Sequence, residues 1–219
     1  MSTEIEKIID NTIKDTFIEL KDLYKGKSNL RILFPKYSSH NDEKSGKLRV
    51  SEQELRFALV EQLVKKVEQL GWYYSVETPT YFYYKSARNG NEPCIGGARS
   101  GHIDMTIYDE KKCPVAFIEF KSASLRPNDK DKKYNRKLKY DIIKLIAESQ
   151  YHKCLGYSLH LIEKPEYEIK EITDYLSEAG KIIKDSKYLK EHEKEIIETF
   201  DLDPEKLKET VKYNYCLLE

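Results

Sequence analysis

Hydrophobic residues repeat with a helical period in two segments of the N-terminal half. Glu4 to Tyr24 carries isoleucine, leucine and phenylalanine at three- and four-residue spacing, which predicts an amphipathic helix. Ser51 to Leu70 has the same period, with Ser51 as a typical N-cap, acidic residues in the first turn and Gly71 after the last apolar position. Glu54 also fits a capping box with Ser51. We expect two helices, joined by a polar loop over residues 26–49.

Three segments with strand character follow. Trp72 to Tyr84 is rich in aromatic and β-branched residues, and Pro79 interrupts it. His102 to Tyr108 and Val115 to Lys121 come next, separated by the polar turn 109–112. Strands joined by so short a turn pair as antiparallel neighbours, so this hairpin is expected to bring Asp104 beside Glu119.

Helical spacing returns after the strands. Asn135 to Gln150 predicts a helix and Cys154 to Ile162 a further strand, which together imply a right-handed crossover. Ile169 to Ile183 and Tyr188 to Phe200 predict two more helices, and Asp203-Pro204 is a typical start of a last one.

This order of elements predicts an α/β or α+β fold, in which helices flank a mixed sheet and extend from both ends of the core. A chain of 219 residues accommodates one such core. We divide it into an N-terminal helix with its connecting loop (1–50), a core (51–165) and a helical C-terminal extension (166–219) that packs on the core or on a partner.

Charge and cysteine content narrow the classes of protein. Lys+Arg and Asp+Glu both total 38, so any surface for nucleic acid must be local. The four cysteines form no CxxC pair, which argues against structural zinc and for free thiols in a reducing, cytoplasmic setting. The sequence has neither the apolar core of a signal peptide nor an apolar run long enough for a membrane span. Gly96-Gly97 lacks the phosphate-loop pattern, so no nucleotide triphosphate site is expected.

Charged residues interrupt the apolar pattern where chemistry is plausible. Glu119 and Lys121 project from the same strand face, because side chains alternate. The apolar arc of the second predicted helix comprises Leu55, Leu59, Val60, Leu63, Val64, Val67 and Leu70. Glu52 falls near the middle of this arc, whereas Glu54 points away from it and is the alternative acid if that helix is rotated. Arg56, one turn after Glu52, is expected to hold the Glu52 carboxylate.

Each of these residues also has an ordinary explanation. Glu119 and Lys121 could form a solvated ion pair, Asp104 could be a strand-end aspartate, and the helix dipole favours Glu52 in a first turn. Their occurrence together, in this order, favours a functional site. His102, on the same strand face as Asp104, is either an additional phosphate contact or structural.

A helix glutamate, then Asp104 on one strand, then the Glu-x-Lys of IEFK on the next, resembles the PD-(D/E)XK nuclease superfamily with its restriction-endonuclease-like fold. The resemblance covers Ser51 to Ile162. The segments ETPT, SGHID and PVAFIEFK are also similar to the nuclease domains of type I restriction motor subunits. Ile103 stands where the family has a proline before the metal-binding aspartate.

The resemblance implies a role for each residue. Asp104, Glu119 and the backbone carbonyl of Phe120 would bind Mg²⁺ or Mn²⁺, the cations that hard oxygen ligands prefer. Lys121 would orient the attacking water or stabilise charge on the phosphate, and Glu52 would complete the acidic cluster. A bound metal lowers the pKa of its water and acts as a Lewis acid, which suits phosphodiester hydrolysis.

A basic segment follows this motif. From Lys121 to Lys144 there are nine basic and three acidic residues, a local excess of nine minus three, or six. Tyr134 and Tyr140 lie among these charges and are candidates for stacking on bases, although a solvated surface has the same composition. The predicted nucleic-acid-binding residues are Arg99, in the glycine-containing loop 86–101, and Arg126, Lys130, Lys132, Lys133 and Arg136. That loop either approaches a nucleic-acid backbone or is a flexible connection.

The sequence therefore predicts a Mg²⁺-dependent DNA endonuclease of restriction or defence type, with RNA as the alternative substrate. Cutting both strands of a duplex usually needs two sites, which is compatible with a homodimer. A second reading is a non-catalytic module that retains the fold and binds nucleic acid or protein. A third is a metal-dependent hydrolase of a small phosphorylated compound, which would need an enclosed pocket.

Overall fold

The computed structural model describes residues 4–27, 30–32, 34, 51–85, 94–97, 99–123, 130–162 and 172–218, and leaves the side chains of residues 65, 123, 130–136 and 172 undescribed. The helices and strands follow in chain order: α1 (Glu4–Tyr24), α2 (Glu52–Leu70), β1 (Tyr73–Lys85), β2 (Cys94–Ile95), β3 (Arg99–Tyr108), β4 (Pro114–Ala123), α3 (Lys130–His152), β5 (Leu155–Ile162), α4 (Ile172–Asp185), α5 (Lys187–His192), α6 (Lys194–Ile197), α7 (Pro204–Thr210) and β6 (Val211–Leu217).

The strands form a six-stranded mixed sheet in the order β2-β1-β3-β4-β5-β6. β1, β3 and β4 are antiparallel to one another, whereas β4, β5 and β6 run parallel. The β4-α3-β5 crossover provides the first parallel step, as the sequence predicted. A mixed sheet flanked by helices is therefore confirmed.

Two hydrophobic clusters cover the two faces of the sheet. Ala116, Ile118 and Phe120 of β4 pack in the cluster that includes α1 and α2, whereas Phe117 packs in the cluster that includes α3, α4 and α7. This division follows from the alternation of side chains along a strand. None of the helices in the described part of the chain combines the length and apolarity that a membrane span needs.

The boundaries of α1 and α2 agree with the prediction. Gly71 adopts a left-handed conformation with φ 68° and closes α2, with its N–H directed to carbonyls of the last turn. The capping box differs from the expected one. The Ser51 hydroxyl donates to the Glu54 carboxylate, and the Ser51 side chain makes no capping hydrogen bond to the backbone.

The C-terminal region contains an element that the sequence pattern did not predict. The predicted helix over Tyr188 to Phe200 is two short helices, and the last helix is followed by β6, which pairs with β5. Strand β2 was not predicted either. The pairing of β6 with β5 joins segments that are far apart in sequence, so no local sequence pattern predicts it.

Strand β1 is continuous past Pro79 but shifts register between Pro79 and Tyr83. The amides of Tyr81 and Phe82 donate to the Glu148 carboxylate of α3 at 3.0 and 3.1 Å, and the Tyr84 hydroxyl donates at 2.9 Å. Burial raises the pKa of Glu148 and these hydrogen bonds oppose the shift. A helix carboxylate therefore satisfies amides at the irregular part of the strand.

The glycine pair of the β2–β3 connection has a packing role. Gly96 has φ +103°, a backbone conformation that L-residues with side chains rarely adopt. A Cβ atom at Gly97 would lie 2.1 Å from the Tyr84 carbonyl oxygen. Both positions therefore need glycine for the chain to pack against its own neighbours.

Candidate active site

The predicted catalytic residues meet near the carboxyl end of β4, between the first turn of α2 and the middle of α3. Lys121 Nζ lies 2.7 Å from Asp141 Oδ2 and 3.9 Å from Glu52 Oε1. Glu119 Oε1 lies 2.6 Å from Lys144 Nζ. The site therefore combines residues of a strand and two helices that are far apart in sequence.

Asp104 is held next to Glu119 by the strand register. Met105 pairs with Ile118, which places Asp104 and Glu119 at the next position of the β3–β4 ladder. Asp104 Oδ2 accepts a hydrogen bond from the Phe120 amide at 2.8 Å, and Oδ1 accepts one from Arg56 Nη2 at 3.1 Å. Both carboxylate oxygens are thus fixed in orientation.

Arg56 does not have the predicted partner. Its Nη2 contacts Asp104 and Glu77 Oε1, the latter at 3.0 Å, instead of Glu52. Its guanidinium also lies 5.8 Å from the centre of the Phe120 ring. Asp104 needs a counter-charge because it is largely buried, whereas Glu52 is half-exposed and faces Lys121.

Glu77 is a site residue that the sequence did not reveal. The β1–β3 register pairs Val76 with Met105 and Thr78 with Ile103, so Glu77 lies across from Asp104. Its φ of 51° is left-handed, which is unusual inside a strand for a residue with a side chain. Glu77, Asp104 and Glu119 consequently occupy adjacent positions on three neighbouring strands.

Asp141 and Lys144 of α3 are two further residues that sequence reasoning did not assign to the site. The signal was present: these two charges stand three residues apart in the otherwise apolar run DIIKLIA. Lys144 Nζ contacts Asp141 Oδ1 at 3.4 Å and donates to the His102 carbonyl at 2.8 Å. Lys144 belongs to the basic segment from Lys121 to Lys144, yet it is only 5% exposed and is therefore not a surface lysine.

The second helix contributes Glu52 and not Glu54 to the neighbourhood of Lys121. Glu52 is half-exposed and directed toward that lysine. Glu54 was expected to point away from the apolar arc, yet it is buried and bonded to Ser51. Val60 and Val64 are only half-buried, whereas Glu54 and Ala58 are buried. The buried face of α2 is therefore rotated relative to the predicted apolar arc.

Burial dominates the electrostatics of the site. Burial raises the pKa of Glu119 well above its usual range, with Lys144 opposing the shift and the Asp141 and Asp104 carboxylates adding to it. Burial lowers the pKa of Lys144, but Glu119 and Asp141 reverse this and raise it. Lys121 behaves in the same way, with Asp141 and then Glu52 as the main opposing charges.

Acidic residues outnumber basic ones within the site. Five acids (Glu52, Glu77, Asp104, Glu119 and Asp141) face three bases (Arg56, Lys121 and Lys144), an excess of five minus three, or two. Removing one partner from such a buried pair leaves an uncompensated charge, which is strongly destabilising.

The donor chemistry of the site fits a hard divalent cation. Asp104, Glu119 and the Phe120 carbonyl provide oxygen ligands of the kind that such a cation prefers. Two of these three groups already contact a lysine ammonium group: Lys144 Nζ donates to Glu119, and Lys121 Nζ donates to the Phe120 carbonyl at 3.2 Å. No group of three or more His, Cys, Asp or Glu side chains converges as a metal site within the residues described. A divalent cation would thus have to displace ammonium contacts.

His102 enters the site through its backbone carbonyl, while its side chain is exposed. A different histidine is buried beside the predicted catalytic lysine. His160 of β5 pairs in register with Lys121, and its Nε2 lies 2.8 Å from the Ser158 hydroxyl. Burial, with a smaller contribution from Lys121, lowers the pKa of His160 to about 3.

We expect His160 to make the folded state acid-sensitive. Its folded pKa of about 3 lies below the ordinary value of 6.5, so the unfolded chain binds the proton more readily and stability falls as the pH drops from 6.5 towards 3. The contribution is about 1.4 kcal/mol per pH unit in this window. Urea denaturation between these pH values measures it, and His160→Gln should show a smaller loss than the wild type.

His192→Gln is the matched control, because His192 is exposed on α5. It should retain the wild-type pH dependence. Equal slopes for His160→Gln and wild type would show that His160 does not contribute.

The predicted basic surface is only partly described. Arg99 is exposed on β3. Lys139 pairs with Glu178 at 2.8 Å, and Tyr140 packs against Tyr84 with ring centres 6.1 Å apart. Arg126 and the side chains of Lys130, Lys132, Lys133, Tyr134 and Arg136 lie outside the described residues.

We compared the chain with protein-family models, with curated proteins and with solved structures, and none of the three comparisons found a match. The assignment of function therefore depends on the geometry of the site.

Proposed function

We propose that this protein is a Mg²⁺-dependent phosphodiesterase that cleaves nucleic acid, most consistently as a DNA endonuclease of restriction or defence type. The observation that carries the proposal is the meeting of Glu52, Asp104, Glu119 and Lys121 around the end of β4. Apart from the two-residue strand β2, the order α2-β1-β3-β4-α3-β5 also has the helix, three-strand, helix, strand pattern expected from the resemblance to the PD-(D/E)XK superfamily. DNA is preferred over RNA on that resemblance alone.

In this proposal the chain's own residues position the reacting groups. Arg56 and the Phe120 amide hold the Asp104 carboxylate in a fixed orientation, on the strand next to the one that carries Glu119. Lys121 is kept charged by Asp141 and Glu52 and provides a positive charge for the phosphate or an orienting hydrogen bond for the attacking water. A Mg²⁺ ion held by Asp104, Glu119 and the Phe120 carbonyl would supply Lewis-acid stabilisation.

Glu52 and Glu119 differ in how easily they can exchange partners. Glu52 is half-exposed and 3.9 Å from Lys121, so it can contact water or substrate without leaving a buried pair. Glu119 is only 1% exposed and would have to exchange Lys144 for another cation. The site in the form described is thus closed by ion pairs, and opening it is part of the proposed cycle.

The same ion pairs favour a second candidate, a non-catalytic binding module. Lys144 neutralises Glu119 and Asp141 neutralises Lys121, so both key residues already have protein partners. A module of this kind would use the network to hold α3 on the sheet. The third candidate, a small-molecule phosphohydrolase, would need an enclosed pocket at this site. Two cavities among the described residues, of about 510 and 960 Å³, are lined by residues outside it.

Cleavage of circular and linear DNA, single- and double-stranded, tests the proposal at low salt with Mg²⁺, Mn²⁺ or EDTA. We expect cutting with either metal and none with EDTA. Cutting of circular substrate would establish endonuclease action. Absence of cutting with both metals, with binding of DNA or protein that EDTA does not change, would support the non-catalytic module instead.

A further inference from the structure

Exposed aromatic residues concentrate on β1, the strand that carries Glu77 into the site. Of the nine exposed large apolar residues in the described chain, five lie on this strand. Four of them are tyrosines, each between 41% and 49% exposed: Tyr73, Tyr74, Tyr81 and Tyr83. Exposed apolar residues that cluster in this way usually mark a binding surface.

One long edge of β1 is open in the described part of the chain. β3 pairs along one side of the strand, whereas β2 pairs along the other only at Tyr84 and Lys85. An open edge can accept a strand from another chain. A strand from another chain would pair poorly with this edge. Glu77 has a left-handed φ, Pro79 has no N–H to donate, and the register of β1 shifts after Pro79.

The exposed rings therefore suit a ligand that stacks on side chains and does not require the backbone edge. Tyr81 already stacks on Tyr151, with ring centres 4.0 Å apart and planes at 20°. A positive charge accompanies one of the rings, because Lys112 Nζ lies 5.6 Å from the centre of the Tyr73 ring. Exposed Arg99 lies on the neighbouring strand, in register with the buried Tyr84. Aromatic rings beside cations are the elements that bind unpaired nucleobases and their phosphates.

The position of the tyrosines relative to the site supports this. Glu77 shares Arg56 with Asp104, so the middle of β1 borders the proposed catalytic centre. Tyr74 precedes Glu77 by three residues and Tyr81 follows it by four, or about 10 and 13 Å along the strand. Measured along the strand, these two tyrosines therefore lie on either side of Glu77.

We infer that the β1 tyrosines form a stacking surface for single-stranded nucleic acid and that the substrate of the site is a single-stranded or locally unpaired strand. The part of this inference that concerns the substrate rests on the proposed nuclease function. The binding surface itself does not depend on that function.

The test is binding of a fluorescent oligothymidine of about 20 nucleotides, and of a duplex of equal length, by fluorescence anisotropy in EDTA at low salt. Tyr74→Ala and Tyr83→Ala should each weaken single-strand binding by roughly ten-fold or more, while Tyr74→Phe and Tyr83→Phe, which keep the rings, should bind as the wild type does. Tyr215→Ala is the matched control, since Tyr215 is 49% exposed on β6 at the opposite edge of the sheet.

Unchanged single-strand affinity in both alanine variants, or equal losses for single strand and duplex, would overturn the inference. So would a dimer that becomes monomeric in Tyr74→Ala on sedimentation while oligonucleotide affinity stays constant, because this would assign the surface to a second copy of the chain. Tyrosine-dependent binding without metal-dependent cleavage would retain the binding surface and reject the nuclease. Metal-dependent cleavage with binding that does not depend on the tyrosines would retain the nuclease and reject the binding surface.

Discussion

Replacing Lys121 with alanine is expected to lower the rate of metal-dependent cleavage by about 100- to 1,000-fold, the usual effect of removing one group that stabilises developing charge. Lys121 is the cation closest to Glu52 and the Phe120 carbonyl, and it is held in place by Asp141 at 2.7 Å. Single-turnover cleavage with saturating enzyme measures the chemical step, and anisotropy in EDTA measures substrate binding separately. Binding should change far less than cleavage.

Loss of folding has to be separated from loss of chemistry in this variant. Lys121→Ala leaves Asp141 with Lys144 as its remaining described cation, at 3.4 Å, so each protein should be assayed well below its own melting temperature. Lys212→Ala is the matched control, because Lys212 is also a strand lysine paired with two acids, Glu6 and Asp10, but belongs to β6. Cleavage by a folded Lys121→Ala protein at a rate within ten-fold of the wild type would remove Lys121 from the proposed chemistry.

Replacing Lys144 with methionine is expected to reduce the free energy of unfolding by about 3–5 kcal/mol, because it leaves Glu119 buried without its cation. Glu119 is 1% exposed and Lys144 5%, so solvent cannot compensate either charge. The double variant Glu119→Gln/Lys144→Met should recover much of this loss, since it removes both charges. Urea denaturation of the wild type, the two single variants and the double variant gives the interaction energy directly.

The pH dependence of the Lys144 variant provides an independent check. Burial raises the pKa of Glu119 in the folded chain, so the folded state holds a proton that the unfolded state releases above the ordinary value of 4.5. Stability due to this group is therefore lost as the pH rises above 4.5, and Lys144→Met, which removes the opposing charge, should show the larger loss.

Lys139→Met is the matched control on the same helix. Lys139 pairs with Glu178, which is 42% exposed, and such a pair contributes less than about 1 kcal/mol. If Lys144→Met costs no more stability than Lys139→Met, then the Glu119–Lys144 contact does not hold α3 on the sheet.

The sequence predicted the parts of the fold that depend on local pattern. The helical period and the end signals located α1 and α2, and the alternation of IEFK placed Glu119 and Lys121 on one strand face. The polar turn at residues 109–112 predicted the hairpin that brings Asp104 beside Glu119. β6 was missed because it pairs with a strand about fifty residues earlier in the chain.

For the candidate site, the sequence identified the side chains with unusual positions: Glu52 on α2, Asp104 on β3, and Glu119 with Lys121 on β4. These positions follow from the periods of strands and helices, which are two and about 3.6 residues. The partners of these side chains depend on tertiary packing. It joined Lys144 to Glu119, Asp141 to Lys121, and Arg56 to Asp104 and Glu77. Buried charges take the counter-charge that packing brings near, and packing between distant segments has no local signature.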